Sequence, residues 1–190
     1  MSENNPVATP EVHTLSVLVQ NNPGVLARIA GLFARRGFNI ESLTVGPTER
    51  EDYSRMTVVA LVTSDAVLEQ IIKQLNKLVE VIRVSEMERG KAVRRELILV
   101  KVHADASTRT DILAIVETFR GHVVDVAADS MTVEVTGKYG KIHAMLELLS
   151  PYGIKELVQS GQVALARGPR TITDRSKFDR TPKSQRGTAS

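Results

Sequence analysis

Asn21-Asn22-Pro23-Gly24-Val25-Leu26 follows the apolar run Leu15–Val19 and leads into Ala27-Arg28-Ile29-Ala30-Gly31-Leu32-Phe33. The stretch reads as a buried strand, a tight polar turn and the first turns of an amphipathic helix. A turn of this kind aims unpaired backbone N–H groups and an Asn side chain at one point in space. Gly37 is the expected end of the helix, and a second Asn follows in Gly37-Phe38-Asn39-Ile40-Glu41-Ser42-Leu43. Two Asn residues framing a helix suit a small zwitterion better than bond-breaking chemistry.

Outward from this turn the elements fall into a regular order. A strand over Val12–Gln20 leads to a helix over Gly24–Arg36, with Val25, Ile29, Leu32 and Phe33 at helical spacing. Phe38–Val45 is the second strand, and residues 46–52 (GPTERED) are turn chemistry. Arg55–Thr63, rich in β-branched residues, is the third strand. Ser64 or Asp65 caps a helix carrying Val67, Leu68, Ile71, Ile72, Leu75 and Leu78, and Val79–Val84 is the fourth strand. The order is βαββαβ.

Residues 86–95 (EMERGKAVRR) are charged and contain Gly90, as expected of a linker or an exposed strand extension. The pattern then repeats. Glu96–His103 is a strand, Ser107 or Thr108 to Phe119 a helix broken by Gly121, and His122–Val126 and Met131–Thr136 are strands. Lys141–Leu149 is a helix, Pro151-Tyr152-Gly153 a turn, and a short segment through Gln162–Arg167 closes the unit. Gly37 and Gly121 align the halves at a constant offset, which points to duplicated architecture. On that offset Asn21–Gly24 faces Asp105–Thr108 and Asn39 faces Val123, so the second unit repeats the scaffold without the polar frame. The ligand site therefore belongs to the first unit.

Composition narrows the function. The 190 residues are 42% hydrophobic and 25% charged, which describes a core-forming chain. No apolar run approaches the roughly 20 residues of a membrane span, and the start, MSENNP, lacks the features of a secretory signal. A cytoplasmic protein is expected. The absence of cysteine removes disulfides and thiol chemistry. The net charge of +3 is uneven: residues 170–190 hold six basic and two acidic residues, so the remainder sums to −1. That leaves residues 1–11 as a flexible start and 169–190 as a basic, disordered tail.

The residues around the turn also resemble a known family. Asn22-Pro23-Gly24-Val25-Leu26 after a strand resembles the first strand–helix turn of an ACT domain, a ferredoxin-like module that binds amino acids. Residues 35–45 (RRGFNIESLTV) resemble the small, regulatory subunit of acetohydroxyacid synthase (acetolactate synthase). Residues 54–57 (SRMT), 74–79 (QLNKLV), 96–102 (ELILVKV), Phe119-Arg120-Gly121, Ser160-Gly161 and Arg167-Gly168 fit the same subunit. The resemblance implies an α+β fold of two consecutive ferredoxin-like βαββαβ units. An ACT domain would span 12–85, a linker 86–95 and a second ferredoxin-like domain 96–168.

The same resemblance implies a non-catalytic partner of a thiamine-diphosphate enzyme of branched-chain amino-acid synthesis. This subunit would activate the catalytic subunit and confer feedback inhibition by valine or a related branched-chain amino acid. Two ACT domains of a homodimer would join into one sheet with the effector at their interface. Asn21, Asn22, Pro23, Gly24, Val25 and Leu26, together with Asn39 and Ile40, fall on the effector-binding positions. Thiamine diphosphate, magnesium and FAD would reside on the catalytic subunit, with no cofactor on this chain.

Elementary chemistry fits such a ligand. A carboxylate suits the N–H groups at a helix start, Gly24 allows close backbone approach, and Asn offers both donor and acceptor. Leu26, Val25 and Ile40 would receive an aliphatic side chain. Catalytic and metal readings find little support, since the four histidines lack ligand spacing and Gly137-Lys138-Tyr139-Gly140-Lys141 lacks the phosphate-loop order. An RNA-recognition module shares the βαββαβ order but stacks bases on sheet aromatics, and residues 55–59 have none. No nucleic-acid or membrane partner is expected. An amino-acid-sensing ACT regulator of a different enzyme is the alternative.

Overall fold

The computed structural model describes residues 10–169 and 171–173. The first unit runs β1 (Glu11–Gln20), α1 (Val25–Arg36), β2 (Asn39–Pro47), β3 (Tyr53–Val62), α2 (Asp65–Leu75) and β4 (Val81–Glu86). Its antiparallel sheet has the order β2-β3-β1-β4, with β1 in the middle and β2 at a free edge. Both helices pack on one face. Leu15, Val17 and Val19 of β1 alternate inward and meet Ile29 and Phe33 of α1, Met56 and Val58 of β3, and Ile71 and Leu75 of α2. Each fully buried side chain of this size contributes about 1.5–3 kcal/mol.

Local chemistry sets the helix ends. Gly37 takes the left-handed conformation (φ 66°), and the N–H groups of Gly37 and Phe38 close on the carbonyls of Ala34 and Phe33. That is the conformation a glycine at this position permits. Ser64 caps α2 by accepting from the Val67 N–H.

The second unit runs β5 (Ala92–His103), α3 (Arg109–Thr118), β6 (His122–Val126), β7 (Ser130–Gly137), α4 (Tyr139–Leu149), a 3-10 turn (Ser150–Tyr152) and β8 (Ile154–Gln159). Its sheet order, β6-β7-β5-β8, repeats that of the first. The chain is thus α+β, two successive ferredoxin-like units. Their helices start at equivalent positions, Val25 and Arg109, and the offset then shrinks because the β6–β7 hairpin is shorter than the β2–β3 hairpin.

Two expectations are corrected. The segment expected to close the second unit, 162–167, instead holds a separate short strand, β9 (Val163–Ala166), which pairs with the first residues of β5. The closing strand is β8, and all six of its residues are exposed, so no burial alternation marks it. The second correction concerns the linker bounds 86–95: of the two forms expected there, linker or exposed strand extension, residues 92–95 take the second and begin β5, and Met87 before them is buried with its N–H bonded to the Thr14 carbonyl.

The antiparallel pair of β9 with the start of β5 lies on the face of the first sheet that the helices leave open. There Thr14, Ser16, Leu18, Thr57 and Val59 are buried although they point away from the core. The Gln162 N–H donates to Ser42 Oγ at 3.0 Å, and Thr14 Oγ1 donates to Gln162 Oε1 at 3.0 Å. Gln162 Nε2 and Gln159 Nε2 in turn donate to the two carboxylate oxygens of buried Glu96. Ile172, within the expected tail, is buried as well, and its carbonyl accepts from Arg83. The tail from 174 onward and residues 1–9 lie outside the described residues. No helix among the described residues is long and apolar enough to cross a membrane.

Candidate functional site

The turn between β1 and α1 is open to solvent. Asn21, Asn22, Pro23, Gly24 and Leu26 are exposed, whereas the Val25 side chain belongs to the core. Val25 therefore offers only its backbone to a ligand, and Leu26, 46% exposed, is the apolar side chain available at the loop. Gly24 is left-handed (φ 85°), and nothing lies within 4 Å of where a Cβ would stand. No side chain caps α1. Among the described residues no acceptor reaches the N–H groups of Leu26 and Ala27. Exposed, unpaired donors at the positive end of a helix dipole make a place for a carboxylate.

The corresponding turn of the second unit is closed on itself. Asp105 Oδ1 accepts from the Ser107 N–H at 2.9 Å and the Thr108 N–H at 3.0 Å, and from both hydroxyls. These bonds, the Ser107 hydroxyl first, hold the Asp105 carboxyl down to about 2. A carboxyl held below its unfolded value contributes stability above about pH 4, and that contribution is lost as pH falls from about 4 to 2. Thermal melts of native protein and Asp105→Asn across pH 2–6 should diverge at the upper end and converge toward pH 2. Parallel curves would contradict the role of Asp105 as an ionised cap.

The Asn residues differ in how far the fold has already engaged them. Asn21 Oδ1 accepts from Ser54 Oγ at 3.0 Å, and Asn21 Nδ2 donates to the Glu51 carbonyl at 3.1 Å. Asn21 braces the loop against the β2–β3 hairpin. Asn22 Nδ2 donates to Gln20 Oε1, and Arg28, a helical turn on, is held by Glu80. Asn39 is exposed at the start of edge strand β2, its side chain unpartnered among the described residues. Ile40 is half-buried against the core, and the β2–β3 register slips at Glu41, just after it.

One chain does not bring the loop and Asn39 together. Asn39 pairs with Leu61, which pairs with Val12 at the start of β1, while the loop follows Gln20 at its end. At about 3.3 Å per residue the two lie roughly 26 Å apart, several lengths of an amino acid. The helix that Asn21 and Asn39 frame runs antiparallel to β1 and carries them to opposite ends of the sheet. Sequence spacing hid this separation. It also hid Ser54, the partner of Asn21, whose only signal was its place in residues 54–57 (SRMT).

Other sequence features resolve simply. Among the described residues no three of His, Cys, Asp and Glu converge as a metal site. His13 pairs with Glu86, and His143 with Glu147 on one helix face. Residues 137–141 form a strand–helix turn in which Lys141 Nζ donates to the Thr136 carbonyl.

Comparison with known proteins matches both halves. Residues 15–83 match a family model described as an AHAS small subunit-like ACT domain, and 95–168 one described as the small subunit of acetolactate synthase. The acetolactate synthase small subunit of Mycobacterium bovis is 56% identical over 164 residues, 86% of this chain and 97% of that protein. The one from Mycolicibacterium smegmatis is 58% identical over 160 residues, 84% of this chain and 94% of the relative. The crystal structure of the small subunit from Thermotoga maritima is 40% identical, with a TM-score of 0.78 over 84% of this chain and 99% of that one. Two family models in the expected order, high identity over almost the whole length of the relatives and a shared fold lead to one conclusion: the chain belongs to the family of acetolactate synthase small subunits, with an ACT domain as its first unit.

Proposed function

We propose that this subunit binds valine, or a related branched-chain amino acid, between the ACT domains of a homodimer, and that binding inhibits an acetolactate synthase catalytic subunit which the chain otherwise activates. The loop Asn21–Leu26 of one protomer receives the carboxylate, and Asn39 and Ile40 of the other meet the remainder of the ligand. The observation that carries this reading is the uncapped start of α1 beside Gly24, set against the self-closed turn at Asp105 in the same fold. The separation of Asn39 from the loop within one chain supports a site shared by two chains. Chemistry with thiamine diphosphate, magnesium and FAD belongs, on this proposal, to the catalytic partner.

Leu26 and Ile40 supply apolar contact, so side-chain selectivity rests on packing. One methylene in an apolar pocket is worth about 1–3 kcal/mol. Calorimetry on the purified chain should therefore show valine, leucine and isoleucine binding within about two orders of magnitude of one another, and arginine not at all. Binding of arginine or of a nucleotide without valine would overturn the proposal.

A further inference from the structure

We propose that the β5–β9 strand pair of the second unit is part of the homodimer interface, meeting the same strand pair of a second copy across the joined β2 edges. The proposal rests on the homodimer of the preceding section, taken with its two ACT sheets joined antiparallel through edge strand β2, which carries Asn39 and Ile40, and adds to it a contact made outside the ACT domain.

Three observations point to β9 and its partner there. Its start is fixed directly over the edge strand: the Gln162 N–H bonds Ser42 Oγ, and Gly161 lies against Thr44, both on β2. Next to this anchor, Val163 and Leu165 are 51% and 59% exposed, aliphatic side chains on a four-residue strand that has one partner among the described residues. Between them and β2 runs a groove of about 310 Å³, bounded by Thr44, Gly46 and Pro47 on one side and by Val93, Val163 and Leu165 on the other. Arg55 and Arg95 also line it. An apolar centre with charged groups around it is the composition of a protein interface.

Symmetry selects the occupant. Joining two β2 strands antiparallel into one continuous sheet requires a two-fold axis perpendicular to that sheet. Such an axis keeps each face on its own side, so both β5–β9 strand pairs stand on the same open face. The two β2 strands would lie about 4.8 Å apart, which makes the structures above them nearest neighbours. A C2 contact uses the same patch on both subunits, as the pair of Val163–Leu165 surfaces would. Stable dimers bury on the order of 1,200–2,000 Å² in total, and a flanking contact of this kind would add to the area that one pair of edge strands buries.

The chain has no cysteine, so single thiols can report the contact. Full-length Val163→Cys and Leu165→Cys should form covalent dimers on diamide oxidation at least about tenfold faster than Val79→Cys, whose site is 86% exposed and remote from β2. Leu165→Asp should raise the dimer dissociation constant by about tenfold or more in sedimentation equilibrium, with its circular dichroism melt unchanged. A native chain that sediments as a monomer would overturn the dimer itself. A native dimer in which Leu165→Asp dimerises normally, and neither thiol exceeds the Val79→Cys rate, would overturn the β9 contact alone. Should Leu165→Asp misfold, the cross-linking rates decide.

Discussion

A complex reconstituted with Asn39→Ala should need about tenfold to a hundredfold more valine for half-inhibition while keeping its activated rate without valine. The fold makes the change clean. Asn39 is exposed at an edge, its side chain bonds to nothing else among the described residues, and it belongs to no core cluster. A hydrogen bond to a charged ligand group is worth about 1.5–3 kcal/mol, which corresponds to that range of affinity. Inhibition requires the effector to prefer one state of the complex, so lost affinity becomes lost switching. Asn21→Ala is a less direct probe, because Asn21 already serves Ser54 and the Glu51 carbonyl; it should lower thermal stability as well as weaken binding. The measurement is synthase rate across a valine titration. Native valine sensitivity in the Asn39→Ala complex would remove Asn39 from the site.

The second large effect is expected at Gly161→Ala. A Cβ at this position would overlap Thr44 Oγ1 and stand 2.8 Å from Ser42 Oγ and 3.3 Å from the Leu43 carbonyl oxygen. Turning the Ser42 hydroxyl aside gives up its bond from the Gln162 N–H, and keeping it in place requires the segment Ser160–Gln162 to lift. Lifting it strains the Gln162–Ser42 and Thr14–Gln162 bonds and the amide contacts of buried Glu96. Overpacking of this kind costs about 1–3 kcal/mol, a fall in melting temperature of roughly 3–10 °C for a chain of this size. The transition should also broaden or split as the two units lose their common surface. Gly140→Ala is the control, since its Cβ meets nothing within 4 Å and its site is helical; it should melt at or slightly above the native temperature. Differential scanning calorimetry on both variants tests this, and a Gly161→Ala chain that melts like the native one would refute the docking argument.

The junction at Gly161 has a bearing on regulation. The proposed effector residues Asn39 and Ile40 precede the register slip in β2, and Ser42, which holds Gln162, follows it. Any change in β2 on ligand binding would reach the second unit along the strand from Ile40 to Ser42 and then through the hydrogen bond to Gln162. Measuring valine affinity and valine inhibition separately in Gly161→Ala would distinguish a damaged site from damaged transmission.

Most of the element order was legible in the chain because it depends on neighbours in sequence. Val25, Ile29, Leu32 and Phe33 mark a helix face by spacing alone, Gly37 marks its end because its backbone turns left-handed there, and Ser64 marks the start of α2 by its hydroxyl. The duplicated βαββαβ order and the exposed loop at Asn21–Gly24 follow from the same local rules. Tertiary structure alone decided where β9 pairs, that β8 rather than 162–167 closes the second sheet, that Ile172 is buried, and that Asn21 is occupied while Asn39, among the described residues, has no side-chain partner. Those outcomes depend on strand register and on contacts between residues far apart in sequence. An exposed edge strand such as β8 carries no burial period to announce itself, and a helix that looks like a frame around two Asn residues carries them, by its own length, to opposite ends of a sheet.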